Sequence, residues 1–264
     1  MQHQWTGNLV TCTWWDELWI NEAFADLGGY LGLRYAEPEW NWKNEFLVGE
    51  VYTGLRADDY IDSRPIINKQ NNNGFKVDQP STIGRQFDLI TYQKGGSILL
   101  MVMQAMTEKR WQYGMQIYLN EQKFTSTDGE IYFSYMQRAV EEVALDDKKW
   151  ELPYTEYNAE GLSPYNQTFD CWFRQMGYPV IHVQYGNAAI FLTQSRYLHS
   201  GTEDVIDAVF YRTYPLLYQK FDNMVLFRPG NLYLLCSPGN QHYQKKVKIG
   251  DLSSISKTYI KFDE

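Results

Sequence analysis

Near residue 178 the hydrophobic period of this 264-residue chain changes from that of a helix to that of a strand. Ahead of that point, Trp15, Leu18, Trp19, Glu22, Ala25 and Gly29 fall at alternating steps of three and four, which places them on one face of a helix over Trp15–Ala36. Asp16 is positioned to cap that helix, and Glu37-Pro38 ends it, because a residue before proline is pushed out of the helical region. Further helices are predicted within Trp42–Arg56, over Phe87–Glu108, Arg110–Gln122 and Asp128–Val143, and over Gln167–Met176, ended by Gly177. Ser126-Thr127-Asp128-Gly129 reads as a connection carrying its own helix cap, while Asp58–Pro80 and Asp146–Pro164 read as loops.

Beyond residue 178 short alternating runs take over. Val180–Tyr185 and Ala189–Thr193 flank Gly186-Asn187, a hairpin signal, and strand-like runs recur at Met224–Arg228, Leu232–Cys236, Lys246–Ile249 and Thr258–Phe262. The predicted fold class is therefore α+β: a mostly helical domain over 1–178 followed by a small antiparallel β-sandwich over 179–264.

A formal charge of −8 provides no basic surface for a phosphate backbone, so nucleic acid is excluded as a partner. The longest apolar run, Ile98–Met103, is far short of the roughly 18–20 residues a bilayer span needs. Met1–Trp5 lacks the basic start and apolar core of a secretory signal. Cys12, Cys171 and Cys236 are odd in number and far apart, so neither a disulfide framework nor a zinc ribbon can be read from them. Asn166-Gln167-Thr168 is an acceptor sequon for glycosylation. The high aromatic content would suit a carbohydrate binder, but most of these rings fall at motif or core positions.

Glu22 is the anomaly of the first helix. A carboxylate on an apolar stripe loses hydration at a cost of several kcal/mol unless it is paired. It is a buried ion-pair partner, or the helix is rotated to give it water, or it is a metal ligand. His3 bears on that choice, since eighteen residues separate it from Glu22. The segment His3-Gln4-Trp5-Thr6-Gly7-Asn8-Leu9-Val10-Thr11, with Trp14-Trp15-Asp16-Glu17-Leu18-Trp19-Ile20-Asn21-Glu22-Ala23-Phe24-Ala25, closely resembles the zinc-site region of the M1 family of aminopeptidases, gluzincins related to aminopeptidase N. That pattern is His-Glu-x-x-His, eighteen intervening residues, then a Glu in an Asn-Glu-Gly-Phe-Ala setting.

The resemblance implies a thermolysin-like catalytic domain, one Zn2+ ion, and peptide substrates with a free N-terminus. His3 matches the second histidine ligand and Glu22 the third ligand. The first histidine and the catalytic glutamate would fall immediately before Met1. The family's Gly-x-Met-Glu-Asn segment, which holds the substrate amine, has no match here. The expectation is a C-terminal portion of a longer enzyme, with a further domain upstream, that is inactive by itself.

Phe87-Asp88-Leu89-Ile90-Thr91-Tyr92-Gln93-Lys94-Gly95-Gly96-Ser97 resembles the family's Tyr-x-Lys-Gly-Ala-Ser stretch, which gives Tyr92 the role of hydrogen-bond donor to the oxyanion. Gly96, Ala23 and Thr6 replace the family's usual alanine, glycine and phenylalanine. Phe169–Val180 resembles the segment that closes the family's catalytic domain, and Gln194–Leu198 fits its β-domain. Asp26 is either a solvated or ion-paired aspartate or a partner behind the metal ligands. Gly28 and Gly29 would admit another helix. His182, His199 and His242 match no ligand position. The resemblance points to an extracellular or plasma-membrane ectoenzyme, with cytoplasmic members of the family also known. The alternative is a peptide-binding or interaction module that keeps the pocket walls without catalysis.

Overall fold

The computed structural model describes residues 2–69, 74–144, 169, 172–185 and 190–200, with the strand segments Leu217–Phe221, Met224–Arg228 and Lys246–Val247. The chain divides into two compact units, Met1–Gly177 and Tyr178–Glu264.

In the first unit a 3-10 turn over Gln2–Gln4 leads to strand β1 (Val10–Cys12) and a second 3-10 turn, Trp15–Glu17. Helix α1 (Trp19–Ala36) follows and packs along α5 (Gly95–Met106). Between them, α2 (Trp42–Phe46) runs through a π-helical turn, Leu47–Val51, into α3 (Tyr52–Asp58). Helix α4 (Pro80–Gly84) and a second π-helical turn, Ile90–Lys94, precede α5. Helix α6 (Glu108–Glu121), strand β2 (Thr125–Thr127) and helix α7 (Gly129–Glu142) complete the unit's named elements.

The helical expectations hold with instructive shifts. The first helix is not capped by Asp16. Leu18 occupies the cap position without a side-chain bond, and Asp16 lies inside the preceding 3-10 turn. Glu17 anchors this entry instead: its Oε2 accepts from Trp19 Nε1 at 2.9 Å and from the Gly129 backbone N–H at 3.3 Å, and its Oε1 lies 2.9 Å from Lys69 Nζ. A buried carboxylate satisfied on each oxygen replaces a local cap with a tertiary one.

The buried stripe of α1 is also rotated. It comprises Trp19, Ile20, Ala23, Phe24 and Leu27, while Gly29 is exposed and Glu22 sits at the margin. The indole of Trp19 is fully buried, with ring centroids 4.3 Å from Phe173 and 5.9 Å from Tyr132. Phe24 and Tyr118 flank Tyr132 at 5.1 and 5.7 Å. Truncating an aromatic in such a cluster costs about 3–5 kcal/mol.

Two elements were not expected. Thr125–Thr127 is no plain connection but pairs in parallel with Val10–Cys12, and Tyr118 Oη shares a 2.6 Å hydrogen bond with Thr127 Oγ1. A three-residue strand has too little period to show in sequence. Helix α4 starts within the predicted loop, with Pro80 in its first turn and a reciprocal Gln79–Thr82 cap. Asp128 caps α7 as expected, accepting from the Ile131 N–H at 3.0 Å. Gly177 has φ +75°, the left-handed geometry predicted for it.

In the second unit, β3 (Pro179–Tyr185) and β4 (Ile190–Arg196) pair antiparallel from Pro179↔Arg196 to Tyr185↔Ile190, which forms the predicted hairpin. Strand β7 (Lys246–Val247) pairs antiparallel with β4, and β5 (Leu217–Phe221) with β6 (Met224–Arg228). The sandwich as a whole, the strand runs at 232–236 and 258–262, the 146–164 loop, Asn166, Cys171, Cys236 and His242 lie outside the described residues.

Candidate active site

His3, Glu22 and Tyr92 come from three separate elements, and the fold brings them together. The 3-10 turn bearing His3 lies on α1, and the approach depends on Gly28: a Cβ there would stand 2.7 Å from Gln2 Cγ. Gly28 thus admits a turn rather than the expected helix, and Gly29 has no neighbour in that direction. With the turn seated, His3 Nε2 lies 3.3 Å from Glu22 Oε2. The imidazole is half exposed, whereas the Glu22 side chain retains only 12% of its accessibility.

Tyr92 comes to the same carboxylate from the π-helical turn Ile90–Lys94. The approach of that turn to α1 is set one residue from Glu22 and three from Tyr92. There Gly95 meets Ala23 so closely that a Cβ on Gly95 would lie 2.7 Å from the Ala23 methyl. Burial, then the Glu22 carboxylate, then the charge of Asp26 push the Tyr92 phenol far above its ordinary range. The hydroxyl therefore keeps its proton at neutral pH and remains a donor.

Behind Glu22 lies an acidic pair that sequence reasoning half found. Asp26, one turn along α1, is half-buried and lies against the buried Glu50 carboxyl, with the charge of Glu22 also acting on it. Burial, then Glu50, push Asp26 up to about 7. The same Glu50 hydrogen-bonds Tyr30, whose phenol is pushed up to about 12, mainly by burial. Glu50 went unnoticed because it stands in a π-helical turn, Leu47–Val51, where the extra residue per turn shifts the helical face on which side chains point. Tyr92 stands in the other such turn. Among the described residues there is no group of three or more His, Cys, Asp and Glu side chains placed to hold a metal ion.

No helix among the described residues is long and apolar enough to cross a membrane. Comparison with known proteins finds the peptidase family M1 domain over residues 1–149. Curated relatives include aminopeptidase N of Rattus norvegicus, 34% identical over 192 residues, which covers 72% of this chain and 18% of that protein. Aminopeptidase N of Canis lupus familiaris is 36% identical over 184 residues, covering 69% and 17%. Glutamyl aminopeptidase of Bos taurus is 33% identical over 196 residues, covering 74% and 17%. The chain spans under a fifth of the length of these relatives. Since the family domain covers more than half of its residues, the chain belongs to peptidase family M1.

Proposed function

We propose that this chain contributes the distal half of a zinc-aminopeptidase active site, with His3 and Glu22 as two of the metal's ligands, Tyr92 as the oxyanion donor, and peptides with a free N-terminus as substrates. The observation that carries this reading is the meeting of three remote residues: His3 Nε2 and Glu22 Oε2 at 3.3 Å, with the Tyr92 hydroxyl on the same carboxylate. Two donors on one tetrahedral Zn2+, each at about 2.0–2.1 Å, stand about 3.3–3.4 Å apart, so the observed spacing fits the ion. In this reading the first unit is the helical part of a thermolysin-like domain over 1–178, and 179–264 a β-sandwich.

Bound between these donors, the ion would acidify a water and polarise the scissile carbonyl. The protein's own residues do the rest of what can be assigned. Glu22 holds the Tyr92 hydroxyl while the site is empty of substrate. The raised phenol then offers a proton-bearing donor to a carbonyl oxygen on which negative charge accumulates, where a pre-placed donor contributes most to rate. Burial disfavours the ionised form of Asp26, which eases the crowding of negative charge beside Glu22.

Two donors are too few for tight zinc binding, and the residues for the general base and the substrate amine find no match in this chain. The 264-residue chain is therefore proposed to bind far less than one zinc and to release negligible dye from an aminoacyl reporter. The test extends the chain with the coding sequence found upstream of Met1. Stoichiometric zinc and turnover, both lost in His3→Ala and Glu22→Gln and with turnover alone lost in Tyr92→Phe, are expected if that sequence supplies a His-Glu pair. Zinc binding unchanged by either ligand substitution would refute the assignment. An extension without that pair, and with peptide affinity but no turnover, would favour the binding-module reading.

A further inference from the structure

The Tyr92 hydroxyl can act only if the turn that carries it is held still, and a π-helical turn is poorly suited to hold itself. We infer that two ion pairs, the half-buried Arg64–Asp88 and the buried Lys94–Asp58, clamp the Ile90–Lys94 turn at its two ends and thereby position the Tyr92 phenol against Glu22. This rests on the active-site reading of Tyr92 given above. All four are positioning residues, and neither pair touches the His3–Glu22 contact.

At the front of the turn, the Arg64 guanidinium, almost wholly buried, forks onto both Asp88 oxygens, Nε to Oδ2 at 3.0 Å and one terminal nitrogen to Oδ1 at 2.5 Å. That same nitrogen donates to Thr91 Oγ1 at 2.6 Å, inside the turn, and to the Gln86 carbonyl at 3.2 Å. The other terminal nitrogen donates to the Pro65 carbonyl at 2.9 Å. Asp88 in turn accepts from the first two N–H groups of the turn, Ile90 at 3.0 Å and Thr91 at 3.1 Å, and its carbonyl accepts from Tyr92 N–H at 3.1 Å. One carboxylate thus joins an arginine fork to the backbone leading to Tyr92.

At the back, Lys94 Nζ lies 2.7 Å from Asp58 Oδ2 and donates to the Gln175 carbonyl at 3.1 Å; both side chains of the pair are buried. Asp58 Oδ1 accepts from Ser63 Oγ at 2.7 Å and from the Gly177 N–H at 2.6 Å. The backbone of the turn also rests directly on α3: a Cβ on Gly54 would stand 2.9 Å from Lys94 N. Asp58, Arg64 and Gln175 all lie outside the turn, so both ends are fixed to separate parts of the unit. A charged fork at the half-buried front and a buried ion pair at the back confer this directional hold, which an apolar contact would not.

The test labels tyrosine at 13Cζ in the full 264-residue chain, assigns the Tyr92 resonance by its loss in Tyr92→Phe, and records its displacement on Glu22→Gln. The clamp is opened by Asp58→Asn with Lys94→Met, which neutralises the pair without stranding a charge, and separately by Asp88→Asn. In chains that still melt cooperatively, the Tyr92 response is expected to fall at least threefold, while Lys94→Arg retains more of it than Lys94→Met. Lys76→Met, which removes an exposed ion pair to Asp78, leaves it intact. A folded Asp58→Asn/Lys94→Met chain and a folded Asp88→Asn chain with the full parental response would overturn the proposal. Amide exchange of the parent chain decides the matter if those variants do not fold: Tyr92 and Lys94 are expected to exchange as slowly as the centre of α5, and exchange tenfold faster refutes the clamp. A parent chain whose Tyr92 ignores Glu22→Gln refutes the active-site contact instead, and exchange then judges the clamp separately.

Discussion

Ala23 and Gly95 are the contact through which α1 and the Tyr92-bearing segment register against each other, and substituting Gly95→Ala measures how much that contact matters. The added methyl would stand 2.7 Å from the Ala23 methyl, with the Ile90 carbonyl oxygen at 3.7 Å and Ala23 Cα at 3.9 Å. Carbon atoms in contact settle at about 3.5–4.0 Å, so the two segments must part by about 1 Å. Neither methyl can rotate away. Overpacking of this kind costs about 1–3 kcal/mol, against about 1 kcal/mol gained from replacing glycine in a helix. A methyl-on-methyl clash with no rotation to relieve it falls in the upper part of that range, about 2–3 kcal/mol, so the expected net loss is about 1–2 kcal/mol, read as a lower urea midpoint at constant slope by tryptophan fluorescence.

The swapped chain, Ala23→Gly with Gly95→Ala, distinguishes steric conflict from any other cause. In it the new methyl faces the Ile90 carbonyl oxygen at 3.7 Å and the residue-23 Cα at 3.9 Å, both ordinary contacts, and the two helix propensities cancel. Its stability is expected within about 0.5 kcal/mol of the parent, so the double-mutant cycle should show coupling of about 2 kcal/mol. A neutral or stabilising Gly95→Ala, or a cycle additive within about 0.5 kcal/mol, would refute the reasoning.

Two further outcomes follow from buried polar groups. Asp26 binds its proton more tightly in the folded chain than in the unfolded one, where it returns to the ordinary carboxylate range. The folded state therefore holds the extra proton between about pH 4 and 7, and the stabilisation present below that window is lost as pH rises through it. Discounted for the solvent that reaches this half-buried group, the effect is about 1–2 kcal/mol; Asp26→Asn should flatten the pH profile of urea stability, and an unchanged slope would contradict the raised Asp26 carboxyl. Thr6 is fully buried and its Oγ1 has no hydrogen-bond partner among the described residues. Thr6→Val keeps the branched shape and removes the stranded hydroxyl, so the thermal midpoint should rise by the equivalent of about 1 kcal/mol, and a fall would show the hydroxyl to be satisfied.

Periodicity and turn residues marked the helical texture ahead of residue 178 and the 180–193 hairpin, and the resemblance to family M1 singled out His3, Glu22 and Tyr92. Local periodicity, caps and a recognisable motif are encoded in neighbouring residues, and they survive without tertiary context. What sequence could not reveal depends on contacts between distant segments. The rotation of α1 that leaves Glu22 at the stripe's edge comes from Trp19 seeking the Phe173 and Tyr132 rings. The start of that helix rests on Lys69 and Gly129 rather than on Asp16. Nothing in the sequence marked Glu50, and Lys94 showed only as part of the Tyr-x-Lys-Gly stretch, yet one lies against Asp26 and the other pairs with Asp58 in the interior. Sequence thus determined which groups were available for the site. Tertiary structure decided which of them meet, because burial sets whether a charge must find a partner, and only packing fixes which partner is within reach.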